Sequence, residues 1–162
     1  LDINRILQAE GTLLPGKAPG SGVKVAAREE IYQVPCAVLL PAAVERTITE
    51  QVAAQLRVRA VVPGANLAVT PEAENLLSRK GTLVLPDFLA GCGGSLSMEG
   101  LFAPEEHPDP AQILAHVEQR MAELVRQTLT RSMAEGITPT QAAWRICAEK
   151  EPQPGTRPYG SP

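Results

Sequence analysis

The chain has 162 residues, a net charge of −3, and 44% hydrophobic but only 3% aromatic residues. Such a length suits one domain, and the core must be aliphatic, built from Leu, Val, Ile and Ala. Basic residues are scattered, which leaves no electrostatic footprint for nucleic acid, and no run approaches the roughly 20 apolar residues of a membrane span.

Nothing resembles a signal peptide. Cys36, Cys92 and Cys147 are odd in number and lack metal-ligand spacing, so reduced thiols in a cytoplasmic protein are expected. The chain opens on Leu1 in the middle of a patterned segment, LDINRIL. It reads as cut from something longer.

In chain order, residues 2–9 read as a short helix with Asp2 as cap, Ile3, Ile6 and Leu7 on one face, and Gly11 as its stop. GTLLPGKAPGSG then reads as loop, residues 23–26 as a minor strand and 28–32 as a helical turn. Three similar units follow, each an apolar run ending in proline: CAVLL then PAA, RAVV then PGAN, and TLVL then PDFL. Runs of this kind without alternation predict strands buried on both faces of a parallel sheet. Helices are predicted between them over residues 49–56 and 71–80. Thr47 with Glu50 is read as a capping box for the first. Thr70, Pro71 and Gly81 give the second a cap, a first-turn proline and a stop.

The last third is helical. Asp109-Pro110 starts a long helix in which Leu114, Val117, Met121, Leu124 and Thr128 recur at helical spacing, ending near Gly136. Thr138-Pro139 with Gln141 repeats the start signal. Ala142, Ala143, Ile146 and Cys147 are expected on the buried face of that second helix. Strands alternating with helices at this pace give right-handed crossovers. The predicted fold class is α/β, a partial Rossmann-like (doubly wound) parallel sheet of about three to four strands plus two C-terminal helices. The expected domain covers residues 1–149. Residues 150–162, EPQPGTRPYGSP with the preceding Lys150, are expected to be a flexible tail with too little apolar surface to offset its ordering entropy.

Ligands in open α/β sheets bind beyond the carboxyl ends of the strands. Three loops qualify: Pro41-Ala42-Ala43, Pro63-Gly64-Ala65-Asn66, and the stretch from Pro86 to Gly94. Their small residues let backbone approach a flat ligand closely, but tight strand-to-helix turns would look the same, and the residues alone leave both readings open. At Gly91-Cys92-Gly93-Gly94 a helix start would present free N–H groups and lower the pKa of Cys92. The plainer reading is a small residue in a tight turn, since no histidine is near in sequence. His107, amid acidic residues in a loop, and His116, on a helix, suit solvated or packed roles rather than metal ligation. No G-x-G-x-x-G follows a strand, and no lysine or carboxylate stands out as a catalytic acid or base.

The stretch VPCAVLLPAAVERTITEQVA, with VVPGANLAVTPEAENLLSRKGTLVLPDFLAGCGG after it, resembles the nucleotide-binding domain of the glutamate, leucine, phenylalanine and valine dehydrogenases. It is closest to the glutamate branch, where PAA, EGAN, TPEA and PDILANAGG occur in the same order. GITPTQAAWRICAE is similar to the family's last helix. The resemblance implies oxidative deamination of glutamate or a related amino acid, with NAD or NADP as cofactor. It implies the dinucleotide and an amino acid as partners, and a homo-oligomer. It places Ala42 and Ala43 along the cofactor cleft, and Gly64, Ala65 and Asn66 near the nicotinamide ribose with Asn66 as the hydrogen-bonding side chain. Gly91 is the further cofactor-side position. The family's catalytic lysine and aspartate and its phosphate loop would precede Leu1, so no catalytic residue is assigned, and the chain is expected to be inactive alone and to bind dinucleotide weakly.

Several positions depart from the pattern, among them Cys92 in place of the family's alanine and EGLF in place of its aromatic-rich helix. Gly91 stands where the family has an asparagine, and Met98 where it has a serine that helps select the substrate. Losing an amide from such a site leaves its partner unpaired, at a cost of roughly 1–3 kcal/mol. These departures support an alternative: a diverged, non-catalytic module with a regulatory or protein-interaction role. A free-standing small α/β binding protein is a third reading. Self-association, as a dimer, is expected from an uncovered sheet edge.

Overall fold

The computed structural model describes residues 27–101 and 109–149. The expected helix over 2–9, the strand over 23–26, His107 and the tail lie outside them. The chain divides into two units, Leu1–Val34 and Pro35–Pro162. Of the first, the described part is a 3-10 turn, Arg28–Gln33, entered where the Glu30 carboxylate accepts the Ala27 amide at 3.2 Å.

The second unit holds a three-stranded parallel sheet in the order β1 (Cys36–Leu39), β2 (Val58–Val61), β3 (Leu83–Val84). The α/β class and parallel sheet agree with expectation. Between the strands run α1 (Glu50–Gln55) and α2 (Pro71–Arg79), which pack on each other. After β3 come the short α3 (Asp87–Ala90), α4 (Gly93–Leu101), the long α5 (Pro110–Glu135) and α6 (Pro139–Glu149).

Local chemistry sets these boundaries. The Thr70 hydroxyl accepts the Ala73 amide at the start of α2, Pro71 sits in the first turn, and Gly81 follows the helix at φ 74°. Asp109 caps α5, which ends on Gly136 in the left-handed conformation at φ 64°. Thr138 and Gln141 exchange hydrogen bonds at 3.1 and 3.2 Å, a reciprocal box opening α6. The cap of α1 differs from expectation: Thr49, not Thr47, accepts the Val52 amide. The Thr47 hydroxyl donates instead to the Val44 carbonyl at 2.6 Å, which tightens the turn before the helix.

The core lies between the sheet and α1 and α2, where Ile48, Val61 and Leu77 are fully buried. Burial is uneven across the sheet. Val61 and Val84 are buried, but every residue of β1 is exposed or half-buried, with Val38 at 45% and the following Leu40 at 64%. The expectation of strands covered on both faces therefore fails for β1, which among the described residues pairs only with β2. On α5, Thr128 is buried and Val117, Met121 and Leu124 are half-buried, whereas Leu114 is 70% exposed. Leu114 lies in the first turns of α5. On α6, Ala142 and Ala143 are buried and Cys147 is exposed, so the buried face stops short of that thiol.

α5 and α6 are tied at the surface by charge. Arg131 reaches both Glu135 and Glu149, and Arg145 pairs with Glu135. The Arg131 guanidinium beside Glu149 holds that carboxyl below its ordinary range, and Glu135 is held down in the same way by Arg131 and then Arg145. Lys80, the residue after α2, sends its ammonium to the C-terminal end of α1. There it donates to the carbonyls of Ala53, Ala54 and Leu56 at 2.9, 3.1 and 3.0 Å, satisfying acceptors that a helix end leaves without partners.

Candidate functional site

The two strand-to-helix loops at the carboxyl ends of β1 and β2 share their second halves, offset by 21 positions, while the first loop is one residue longer between strand and helix. Each ends in a threonine cap, Thr49 or Thr70. Each turns through a non-glycine residue in the left-handed region, Arg46 at φ 52° and Leu67 at φ 53°. They also pair as a short parallel ladder. The Arg46 amide donates to the Leu67 carbonyl, Ile48 to Ala68, and Thr70 back to Ile48, at 2.8, 2.8 and 3.0 Å.

The first two sequence-expected loops are in direct contact. The Pro41 carbonyl accepts both the Gly64 and Ala65 amides, at 3.0 and 3.1 Å. Gly64 passes so close to Ala42 that a Cβ on Gly64 would lie 2.9 Å from the Ala42 Cβ. Glycine is needed here by space and not by dihedral angle. Ala42, Ala43, Gly64 and Asn66 are exposed and Ala65 is half-buried. Asn66 is exposed and its side-chain amide makes no hydrogen bond to the described residues, which leaves its donors and acceptor open to a ligand.

The third loop joins through Asp87. Its carboxylate accepts the Leu67 amide at 2.6 Å, and its backbone carbonyl accepts the Gly91 amide at 2.7 Å. Gly91 closes α3, exposed, at φ −94°. Asp87 thus ties the PGAN loop to the start of α3; Ala42, Ala43, Gly64, Ala65 and Asn66 lie on the loops beyond β1 and β2, whereas Gly91 caps the far end of α3. Sequence reading missed Asp87 because an acidic residue in a helix's first turn is ordinary, and its partner lies 20 residues away.

A helix does begin after Cys92, but the thiol is half-buried with its sulfur 3.2 Å from Met121 Sδ on α5. That is a packing role rather than a presented nucleophile. Met98, on α4, is 39% exposed. Among the described residues no group of three or more metal-ligating side chains converges, and no helix is long and apolar enough to cross a membrane.

The sequence pattern that defines the glutamate/leucine/phenylalanine/valine dehydrogenases matches residues 2–150. The chain belongs to that family. It is 36% identical over 110 residues to the glutamate dehydrogenase of Aeropyrum pernix, an alignment covering 62% of this chain and 25% of that protein. Identity is 47% over 66 residues with the glutamate dehydrogenase of Thermotoga maritima, covering 41% and 16%. Among solved structures, the hetero-hexameric glutamate dehydrogenase of Thermus thermophilus in its Leu-bound form superposes with a TM-score of 0.72. It is 30% identical, and the match covers 92% of this chain and 35% of that one. The L-tryptophan dehydrogenase of Nostoc punctiforme, at 20% identity and a TM-score of 0.65, shares the fold. The chain thus spans a quarter or less of the length of these two sequence relatives, and its parallel sheet is the partial Rossmann-like sheet of this dehydrogenase family.

Proposed function

We propose that this chain is the nicotinamide-side part of the cofactor domain of an NAD- or NADP-dependent amino acid dehydrogenase acting on glutamate or a related amino acid. The observation that carries the reading is the joined rim of small residues beyond β1 and β2, at Ala42, Ala43, Gly64 and Ala65, with the amide of exposed Asn66 beside it. Such a rim fits one flat face of a ligand, because backbone can approach where no side chain projects, and one amide can both donate and accept. Gly91 sits on the adjoining loop. When bound, the dinucleotide supplies the hydride acceptor for deamination. This chain's own residues shape and orient that half of the site, and they contain no assigned proton-transfer group. Residues 1–149 belong to the domain in this reading, and residues 150–162 form its tail. The exposed apolar β1 suits a surface that another part of an oligomeric enzyme covers.

The test is chemical-shift mapping on the full chain with nicotinamide mononucleotide and, separately, adenosine monophosphate. The expected result is that the nicotinamide half perturbs the amides of Ala42, Gly64, Asn66 and Gly91 more than the adenosine half does. Preference for the adenosine half, or perturbation confined to other residues, overturns it.

A second reading is favoured by one observation. Gly91 presents no side chain where the family carries an amide, and Met98 replaces a hydroxyl. A non-catalytic module built on the same fold would retain the rim and lose activity. Assay of glutamate-dependent NAD and NADP reduction by the full-length gene product, before and after Gly91→Asn, separates the two. Activity in the unmodified protein favours the dehydrogenase, and none in either form favours the module.

A further inference from the structure

A cavity of about 240 Å³ lies between the end of β3, the start of α2, α3 and α6, with Pro63 and Leu67 also in its lining. Its lining includes two carboxylates, Glu74 and Asp87, the ring pair Phe88 and Trp144, and the Thr140 hydroxyl. Among the described residues no Lys, Arg or His lines it. Asp87 already accepts the Leu67 amide. Glu74 does not share this arrangement: its Oε1 is buried and has no hydrogen-bond partner among the described residues. A buried carboxylate oxygen without a donor is costly, and native structures normally satisfy such atoms.

The aromatic pair stands at the same cavity. The ring centroids of Phe88 and Trp144 are 5.1 Å apart and the planes are inclined at 46°. Both residues are nevertheless exposed, Phe88 at 41% and Trp144 at 62%. Exposed aromatic residues beside a carboxylate oxygen without a donor, with no positive side chain among the described lining residues, form a receptor for a cation with a flat apolar surface. A guanidinium matches all three features. It donates in a planar fork to a carboxylate, stacks on aromatic faces, and gives up its hydration more easily than an ammonium does.

We propose that this cavity is a binding site for a guanidinium group, held by the Glu74 carboxylate and covered by the Phe88 and Trp144 rings. The group comes either from a small guanidino compound or from an arginine side chain of a partner protein. The proposal does not rest on dinucleotide binding: none of the six rim positions lines the cavity, although Pro63, Leu67 and Asp87 of the adjoining loops do.

Trp144 is the chain's one tryptophan, so its fluorescence reports occupancy directly. The full chain is titrated with n-butylguanidinium, with its neutral isostere n-butylurea, and with an acetylated, amidated Gly-Arg-Gly peptide. The expected result is a saturable emission change with n-butylguanidinium that is about tenfold or more weaker with the urea, the difference a charge-assisted hydrogen bond makes. The Glu74→Gln variant, which keeps shape and removes charge, is expected to weaken n-butylguanidinium by a similar factor. A response to the peptide assigns the site to a partner's arginine, and response to n-butylguanidinium without it assigns a free small molecule. No saturable change with either cation, an equal response to the urea, or undiminished binding by folded Glu74→Gln overturns the proposal. The comparison of cation with urea needs no variant and decides the matter even if Glu74→Gln does not fold.

Discussion

The Asp87 carboxylate accepts the backbone amide of Leu67 at 2.6 Å, and Leu67 holds a left-handed conformation at φ 53°. An ionised acceptor makes a stronger bond than a neutral one, and here it holds a strained residue in place. Removing it with Asp87→Ala is expected to destabilise the fold by about 1–3 kcal/mol, because the amide loses its partner. Leu67→Gly is expected to be neutral or to stabilise by up to about 1 kcal/mol, since relief of left-handed strain, roughly 1–2 kcal/mol, exceeds the entropy cost of glycine. Urea denaturation of each variant checks both signs. Equal losses in the two variants would contradict this account.

Gly64 and Ala42 make a sharper pair. Adding a methyl group at Gly64 drives it into the Ala42 Cβ at 2.9 Å, and overpacking of this kind costs about 1–3 kcal/mol. In an Ala42→Gly background the nearest remaining atom is the Ala42 Cα, at 3.5 Å from that Cβ position. The loss from Gly64→Ala should then shrink to a fraction of its value. A double-mutant cycle by chemical denaturation measures the coupling, and additive losses would show that the contact is relieved elsewhere.

Lys80 predicts a long-range helix effect. Its ammonium serves three carbonyls at the end of α1, so Lys80→Met should destabilise by about 1–2 kcal/mol while retaining the aliphatic stem. Lys80→Arg should rescue only part of this, because a planar fork does not reproduce three bonds from one point charge. Amide exchange localises the effect: protection should fall in α1 rather than in α2.

Glu135 and Glu149 carry pKa values lowered in the folded chain, chiefly by hydrogen bonds from Arg131. The sign follows from linkage. The stabilisation is present above the unfolded carboxylate value of about 4.3 and is lost as pH falls through the lower folded values. Both groups are at the surface, so the effect is modest and screened by salt. Thermal unfolding between pH 7 and 3 should show a shallower acid loss in Glu149→Gln than in the parent chain. The difference should narrow at high ionic strength.

Much of this architecture is written in local signals. Thr70-Pro71 with Gly81, Asp109-Pro110 with Gly136, and Thr138-Pro139 with Gln141 each act within one turn of chain, and each boundary falls where they place it. The three strands are legible for a similar reason, being short apolar runs between turn residues. Thr47 and Thr49 show the limit. Two hydroxyls of equal capping chemistry lie two positions apart, and the choice between them depends on which backbone group the loop brings within reach. The loops of the candidate site were legible as positions, but the contact of Gly64 with Ala42, the Asp87 bond and the three-carbonyl cap by Lys80 all join distant segments. No local pattern encodes such pairings. The exposure of β1 is likewise invisible in CAVLL, because composition records what a strand can bury and not what lies over it.

The two matching loops that end in Thr49 and Thr70 have a consequence for how this chain can change. Because Arg46, Ile48 and Thr70 bond across to the neighbouring loop, neither loop's length is set by its own ends alone. One residue inserted between Arg46 and Ile48, inside the bonded stretch, would slide Ile48 out of step with Val69 and leave the amide of Thr70 facing a different carbonyl. Only a matched insertion in the other loop would restore the alignment. The pair should therefore drift in residue identity far more readily than in length, with gains and losses of residues confined to segments that answer to no neighbour.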